Sequence, residues 1–197
     1  MFGDFPIVTT VLEDNNDEVV EASKRSPRNE VARFILEDLD KAIDLLASRS
    51  KFSGQRLNRE AALLFKSRVA LYEGTFEKYH RNSGRVPGDS EWPGANADYN
   101  SGKIFGIDGE IEFFLTEAIA AAEEVAGTAQ LTSNNHVIEP TVGVTTGWNP
   151  YFEMYSQPSL ANVTEVLLWK EYNSELSVKH NAPYRCKIGC ADGYTRT

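Results

Sequence analysis

Proton transfer and metal binding need ionisable side chains at spacings that a helix or turn can bring together. The densest such stretch is REAALLFKSRVALYEGTFEKYH, residues 59–80, where Glu73, Glu77 and His80 follow one another around Lys78 and Tyr79. On an unbroken helix these spacings of four and three put all three on one face. Gly74 stands in the way: a glycine after an apolar helical run reads as a stop, which parts Glu73 from the other two and leaves surface charge or local packing as their role.

Other candidates are weaker still. His80, His136 and His180 fall in separate segments, and no Ser or Cys has a local frame suited to acyl transfer. Cys186 and Cys190 have three residues between them, and a zinc site built from them with His180 lacks a fourth ligand, so both read as ordinary loop residues. The acid pairs Glu37 with Asp38, Asp14 with Asp17 and Glu123 with Glu124 read as solvated charge. There is no phosphate loop, dinucleotide fingerprint or calcium-loop pattern, and Asn162 to Thr164 is a glycosylation triplet in form alone. No cofactor, metal site or catalytic residue is assigned.

The aromatic residues in loops are more informative. Trp92, Tyr99, Trp148 and Tyr151 sit beside Gly, Asn and Pro, where flat rings next to amides and hydroxyls can stack on sugar rings. The competing role is packing of the loops onto helices, since large rings usually point inward. Trp169 reads as core.

The whole chain limits these choices. Its 197 residues, 41% of them hydrophobic and 25% charged, suit one folded domain. A net charge of −9 without a basic stripe excludes nucleic acid as a partner. No window is apolar for the roughly 18 residues that span a bilayer, and neither end reads as a natural terminus, so the chain is expected to be an internal piece of a longer protein.

The elements that must carry these residues are helical. Residues 26–48 place Val31, Phe34, Ile35, Leu39, Ala42, Ile43 and Leu46 at helical spacing behind Ser26-Pro27, with Glu37 and Lys41 set for an ion pair. Asn58 caps a second helix to about Glu73, apolar over much of its circumference and therefore expected between neighbours. Residues 82–109 hold six glycines with Trp92 and Tyr99 and form a long loop insertion, after which Asp108 caps a third helix ended by Gly127. YFEMYSQPSL is a short helical or turn segment, and EVLLWKEY is the best strand candidate.

In this order, several segments resemble the SusD/RagB family of outer-membrane nutrient-binding lipoproteins of Bacteroidetes. FGDFPIVTT is similar to the family's Tyr-Gly-Asp-x-Pro loop, RSPRNEVARFILEDLDKAIDLL to its Arg-Ser-Pro-opened helix, and NREAALLFKSRVALYEGTFEKYH to its Ala-Ala and Arg-Val-x-Leu-Tyr helix. AIAAAEEV and NVTEVLLWKEY, the latter similar to the family's Asn-x-Glu-Val-Ile segment, continue the series.

The resemblance implies a mainly α fold of tetratricopeptide-like helix pairs with long loops and little β, truncated at both ends as a single incomplete domain over residues 1–197. It further implies non-catalytic capture of oligosaccharides or similar nutrients for a SusC-type TonB-dependent transporter. The protein would then sit at the cell surface, joined to the outer membrane by a lipid anchor outside this chain. The family's ligand contacts follow no strict motif, so Trp92, Tyr99, Trp148 and Tyr151 rest on their own chemistry. The alternative is a tetratricopeptide-type scaffold that binds proteins and no sugar.

Overall fold

The computed structural model describes residues 3–173, 175 and 177–179; His180, Cys186 and Cys190 of the rejected zinc reading lie outside them. The chain is mainly α-helical. Its described residues form α1 (Asn16–Ala22), α2 (Arg28–Leu45), α3 (Arg59–Tyr79), α4 (Ile107–Ala126) and α5 (Pro150–Ser156), with short 3-10 turns between them and no strand. Two compact units result: Met1–Lys51 with Leu57–Ala129, and Phe52–Arg56 with Gln130–Thr197.

The first unit is built on α2, α3 and α4. Pro27 precedes α2, its fixed φ suited to a helix start, but it supplies no capping oxygen. Asp4 does so from a distance, its Oδ1 accepting the Arg28 amide at 3.0 Å, and Phe5 holds that segment in place by exchanging backbone hydrogen bonds of 3.1 and 3.0 Å with Ser26. Asn58 caps α3, its side chain accepting the Ala61 amide, and Gly127 ends α4, both as expected.

Register follows from the ties between helices. Arg59 pairs with Glu124, Ser67 Oγ donates to the Ala118 carbonyl, and Arg81 pairs with Asp108, so α3 and α4 run antiparallel. Arg28 with Glu73 and Lys66 with Asp40 set α2 antiparallel to α3 in the same way. Ala32, Leu36, Ala70, Phe114 and Ala118 form the buried centre. Three of the five are alanines, and helix axes come close where side chains are this small.

Gly74 corrects the expected end of α3. The helix continues through it to Tyr79, because a Cβ there would stand 3.0 Å from Leu115 Cγ and 3.2 Å from Phe114 Cβ. This glycine admits a neighbouring helix, and the roughly 1 kcal/mol it costs inside a helix is offset by that approach. Two consequences follow for α3: Glu73 and Glu77 share its buried face, and Leu64, Phe65, Leu71, Tyr72 and Tyr79 face outward. A helix expected to be covered all round is thus open along an apolar flank.

Three further expectations change. Asp108 lies in the first turn of α4, where Gly106 is the cap, and pairs with Arg81. Lys41 pairs with Asp38 at 3.0 Å, one residue closer in the chain than Glu37. EVLLWKEY is not a strand: the Trp169 amide donates to the Gly54 carbonyl and its indole to the Ser53 carbonyl, isolated bonds that build no ladder, and Trp169 is half-buried. In the same second unit, Asn149 caps α5 by accepting the amides of Tyr151 and Phe152. Among the described residues no helix is long and apolar enough to cross a membrane.

Candidate functional site

Once α3 continues, Glu73 and Glu77 of the Glu73, Glu77 and His80 trio fall into a buried cluster with Arg28. Arg28, from the first turn of α2, grips Glu73 with both arms, Nε to Oε1 at 2.6 Å and Nη2 to Oε2 at 2.7 Å, while its plane lies 3.4 Å from the Phe76 ring centroid. Burial works against the guanidinium charge, but the hydrogen bonds and the charge of Glu73 outweigh it and hold the Arg28 pKa above its ordinary value. Arg33 is engaged likewise by Glu110, at 3.0 and 2.9 Å.

Glu77 is left over. It is 1% exposed, both its oxygens lack a hydrogen-bond partner among the described residues, and the forks of Arg28 and Arg33 are taken by other carboxylates. Burial first, then the charges of Glu73 and Glu110, push its pKa from 4.5 up to about 8 against the pull of Arg28 and Arg33. It is therefore a neutral acid at pH 7. A raised pKa suits a general acid, yet neither Glu73 nor Glu77 lines either of the two clefts described below, so neither meets a substrate there. His80 caps the end of α3, its ring 4.0 Å from that of Phe76 and nearly parallel, with Nδ1 3.0 Å from the Phe76 carbonyl oxygen. The trio belongs to the frame.

The loop from α3 to α4 folds around Trp92. Two 3-10 turns, Pro93–Asn96 and Asp98–Asn100, bring Gly94 against the indole so closely that a Cβ on it would stand 2.1 Å from Cζ2. Phe105 meets the ring edge-on at 5.1 Å, and the indole NH donates to Asp4 Oδ2 at 3.2 Å. Trp92 is 4% exposed and offers no open face to a sugar. Tyr99 is exposed on the same loop but does not line the cleft of about 540 Å³ that Trp92 borders with Asp89, Asn100 and Phe105.

Trp148 is placed differently. The stretch after α4 returns on itself through two amide ties, Asn135 Nδ2 to the Trp148 carbonyl and Asn149 Nδ2 to the Val137 carbonyl, each 2.7 Å. Between these ties opens a groove of about 480 Å³ lined by Asn134, His136, Val137, Ile138, Trp148 and Phe152 along with Asn149. Trp148 stays half-exposed, and Phe152 supports its ring at 4.9 Å with a 37° tilt. Asn134 Oδ1 accepts the His136 amide at 2.8 Å, and His136 takes a positive φ of 61° beside it. Tyr151, three residues on, is exposed on α5 outside the groove lining.

An aromatic plate, an imidazole and carboxamides around an open groove can stack on and hydrogen-bond a neutral polyol, but hold no paired acids or nucleophile. Of the four aromatic residues chosen from sequence, the structure brings Trp92 and Trp148 to clefts and leaves Tyr99 and Tyr151 outside them. Asn134, Asn149 and His136 were missed as partners of Trp148; the signal was the density of amides in SNNHV and GWNP. Among the described residues no three His, Cys, Asp or Glu side chains converge to hold a metal. Comparisons with protein-family models, curated proteins and solved structures find no match.

Proposed function

We propose that the chain belongs to a non-catalytic binding protein for oligosaccharides or similar nutrients, taken up in the Trp148 groove. One observation carries this: a half-exposed indole that lines an open groove with Phe152, Asn134, Asn149 and His136. Sugar rings present an apolar face and an equatorial rim of hydroxyls, which this pairing of ring and amides complements. The SusD/RagB resemblance points the same way, and the antiparallel, alanine-rich packing of α2, α3 and α4 supports the tetratricopeptide-like part of it. In that setting the bound glycan passes intact to a SusC-type transporter at the outer membrane.

The test is calorimetric titration of the chain with a panel of neutral oligosaccharides, with product analysis alongside. Binding without hydrolysis, weakened about tenfold by Trp148→Ala, is expected, in line with the loss of one stacking contact. Binding indifferent to Trp148→Ala, or cleavage of the sugar, would overturn the proposal. The outward apolar flank of α3, Leu64 to Tyr79, favours the scaffold reading instead; under it Leu71→Ser abolishes protein capture and Trp148→Ala has no effect.

A further inference from the structure

The loop between α3 and α4 buries two oxygen acceptors that the described residues leave unmatched. Asp89 and Asn100 are each 6% exposed, and Asp89 Oδ2 and Asn100 Oδ1 have no hydrogen-bond partner among the described residues. Their other polar atoms are committed: Asp89 Oδ1 accepts the Asn82 amide at 2.9 Å, and Asn100 Nδ2 donates to the Gly94 carbonyl at 3.0 Å. Both side chains are thereby oriented, and both residues line one cleft with Ser90 and Ser101.

An unmatched buried acceptor is costly, and a buried carboxylate more so. None of the ion pairs among the described residues reaches Asp89. Lys103 borders the same cleft, but its ammonium is held by both oxygens of Glu30, at 2.8 and 2.9 Å. Whatever meets Asp89 Oδ2 must therefore bring positive charge or donors from outside the described residues. It must also be small, because both unmatched oxygens are closed to bulk solvent while the cleft beside them is open. A sugar ring or an amino acid does not fit that description.

We propose that this loop binds a single hard divalent cation, calcium in preference to magnesium, through Asp89 Oδ2 and Asn100 Oδ1, with cleft-side hydroxyls and water completing its shell. One carboxylate and one carboxamide are hard oxygen donors of the kind calcium takes in its irregular shell of six to eight, whereas magnesium demands a stricter octahedron and yields its waters reluctantly. The single protein charge predicts affinity in the weak range of extracellular calcium modules, roughly 0.1–1 mM. The cation would pin the turn around Asp89 to the 3-10 turn that carries Asn100, and so close the loop over Trp92.

The test uses the full chain, stripped of metal by chelation. Calcium at about one hundred times its Kd is expected to raise Tm by roughly 5–10 °C, magnesium and potassium much less. Terbium replaces calcium as an optical probe: tryptophan-sensitised emission should appear on titration, be displaced by calcium, and be lost in Asp89→Asn, which keeps the Oδ1 acceptor for the Asn82 amide. Circular dichroism of Asp89→Asn confirms that it folds. No calcium-dependent rise in Tm, or an equal rise in Asp89→Asn, overturns the proposal and leaves buried water as the partner of these oxygens. Sugar binding at Trp148 is measured separately, so failure of either proposal leaves the other standing.

Discussion

Trp92 and Trp148 lie in stretches of much the same composition, each rich in Gly, Asn and Pro, yet one stretch closes over its indole and the other leaves it open. The difference lies in what surrounds each ring. Around Trp92, Gly94 covers a face, Phe105 meets an edge and Asp4 takes the indole hydrogen. Around Trp148, Phe152 stands 4.9 Å away and lines the groove with it, and the Asn135 and Asn149 carboxamides donate to backbone carbonyls. A loop tryptophan is thus closed over or left open by the small residue and the acceptor next to it, more than by the loop's polarity.

The largest effect should come from emptying the closed site. Trp92→Ala removes a buried ring and its hydrogen bond and should destabilise the first unit by about 3–5 kcal/mol in urea unfolding. A loss below about 1 kcal/mol would mean that Trp92 is as open as Trp148 and would remove the contrast.

Next in size is a pH effect confined to the charge cluster of the first unit, which Asp4 joins to the Trp92 loop. Glu77 has a pKa of about 8 folded, against an ordinary 4.5, so the folded state holds a proton that the unfolded state has released. Its contribution to stability is full below pH 4.5, falls as the pH rises through about 8, and is level beyond. The expected loss is on the order of a few kcal/mol, and Glu77→Gln should flatten the profile across that window. An unchanged profile in Glu77→Gln would show that Arg28 or Arg33 holds Glu77 ionised.

Gly94→Ala sharpens the comparison at a smaller scale. The added methyl meets the indole at 2.1 Å, so ring or turn must shift, at about 1–3 kcal/mol of stability. Trp148→Ala should have the smallest effect on unfolding, about 0.5 kcal/mol, while lowering sugar affinity about tenfold. If it instead unfolds the second unit, Trp148 is a packing residue and the groove loses its claim.

Much of the frame was legible beforehand. The apolar period of residues 26–48, the Asn58 cap, and Gly127 as the end of α4 are local signals, and local signals fix helices. What failed depended on neighbours distant in sequence. Gly74 looked like a stop because the arrival of Leu115 against it is not written in its own segment. Glu73 and Glu77 read as surface charge or local packing, and their own segment does not decide between the two, because their burial needs Arg28, 45 residues away from Glu73. EVLLWKEY carried the composition of a strand without a partner strand, and composition alone builds no ladder. The candidate site was half legible: aromatic residues beside amides marked two stretches where clefts open, but which indole stays open was decided by Gly94 and Asp4.

Asp4 touches two things at once, the first amide of α2, 24 residues away, and the Trp92 indole, 88 residues away. Contacts of such unequal reach do not form together: the shorter closes early, and the longer must wait until α3 has laid the chain back. Closure of the loop over Trp92 should therefore be a late event in folding. Asp4→Asn should speed unfolding far more than it slows refolding. A single carboxylate then acts as a latch, set last and released first.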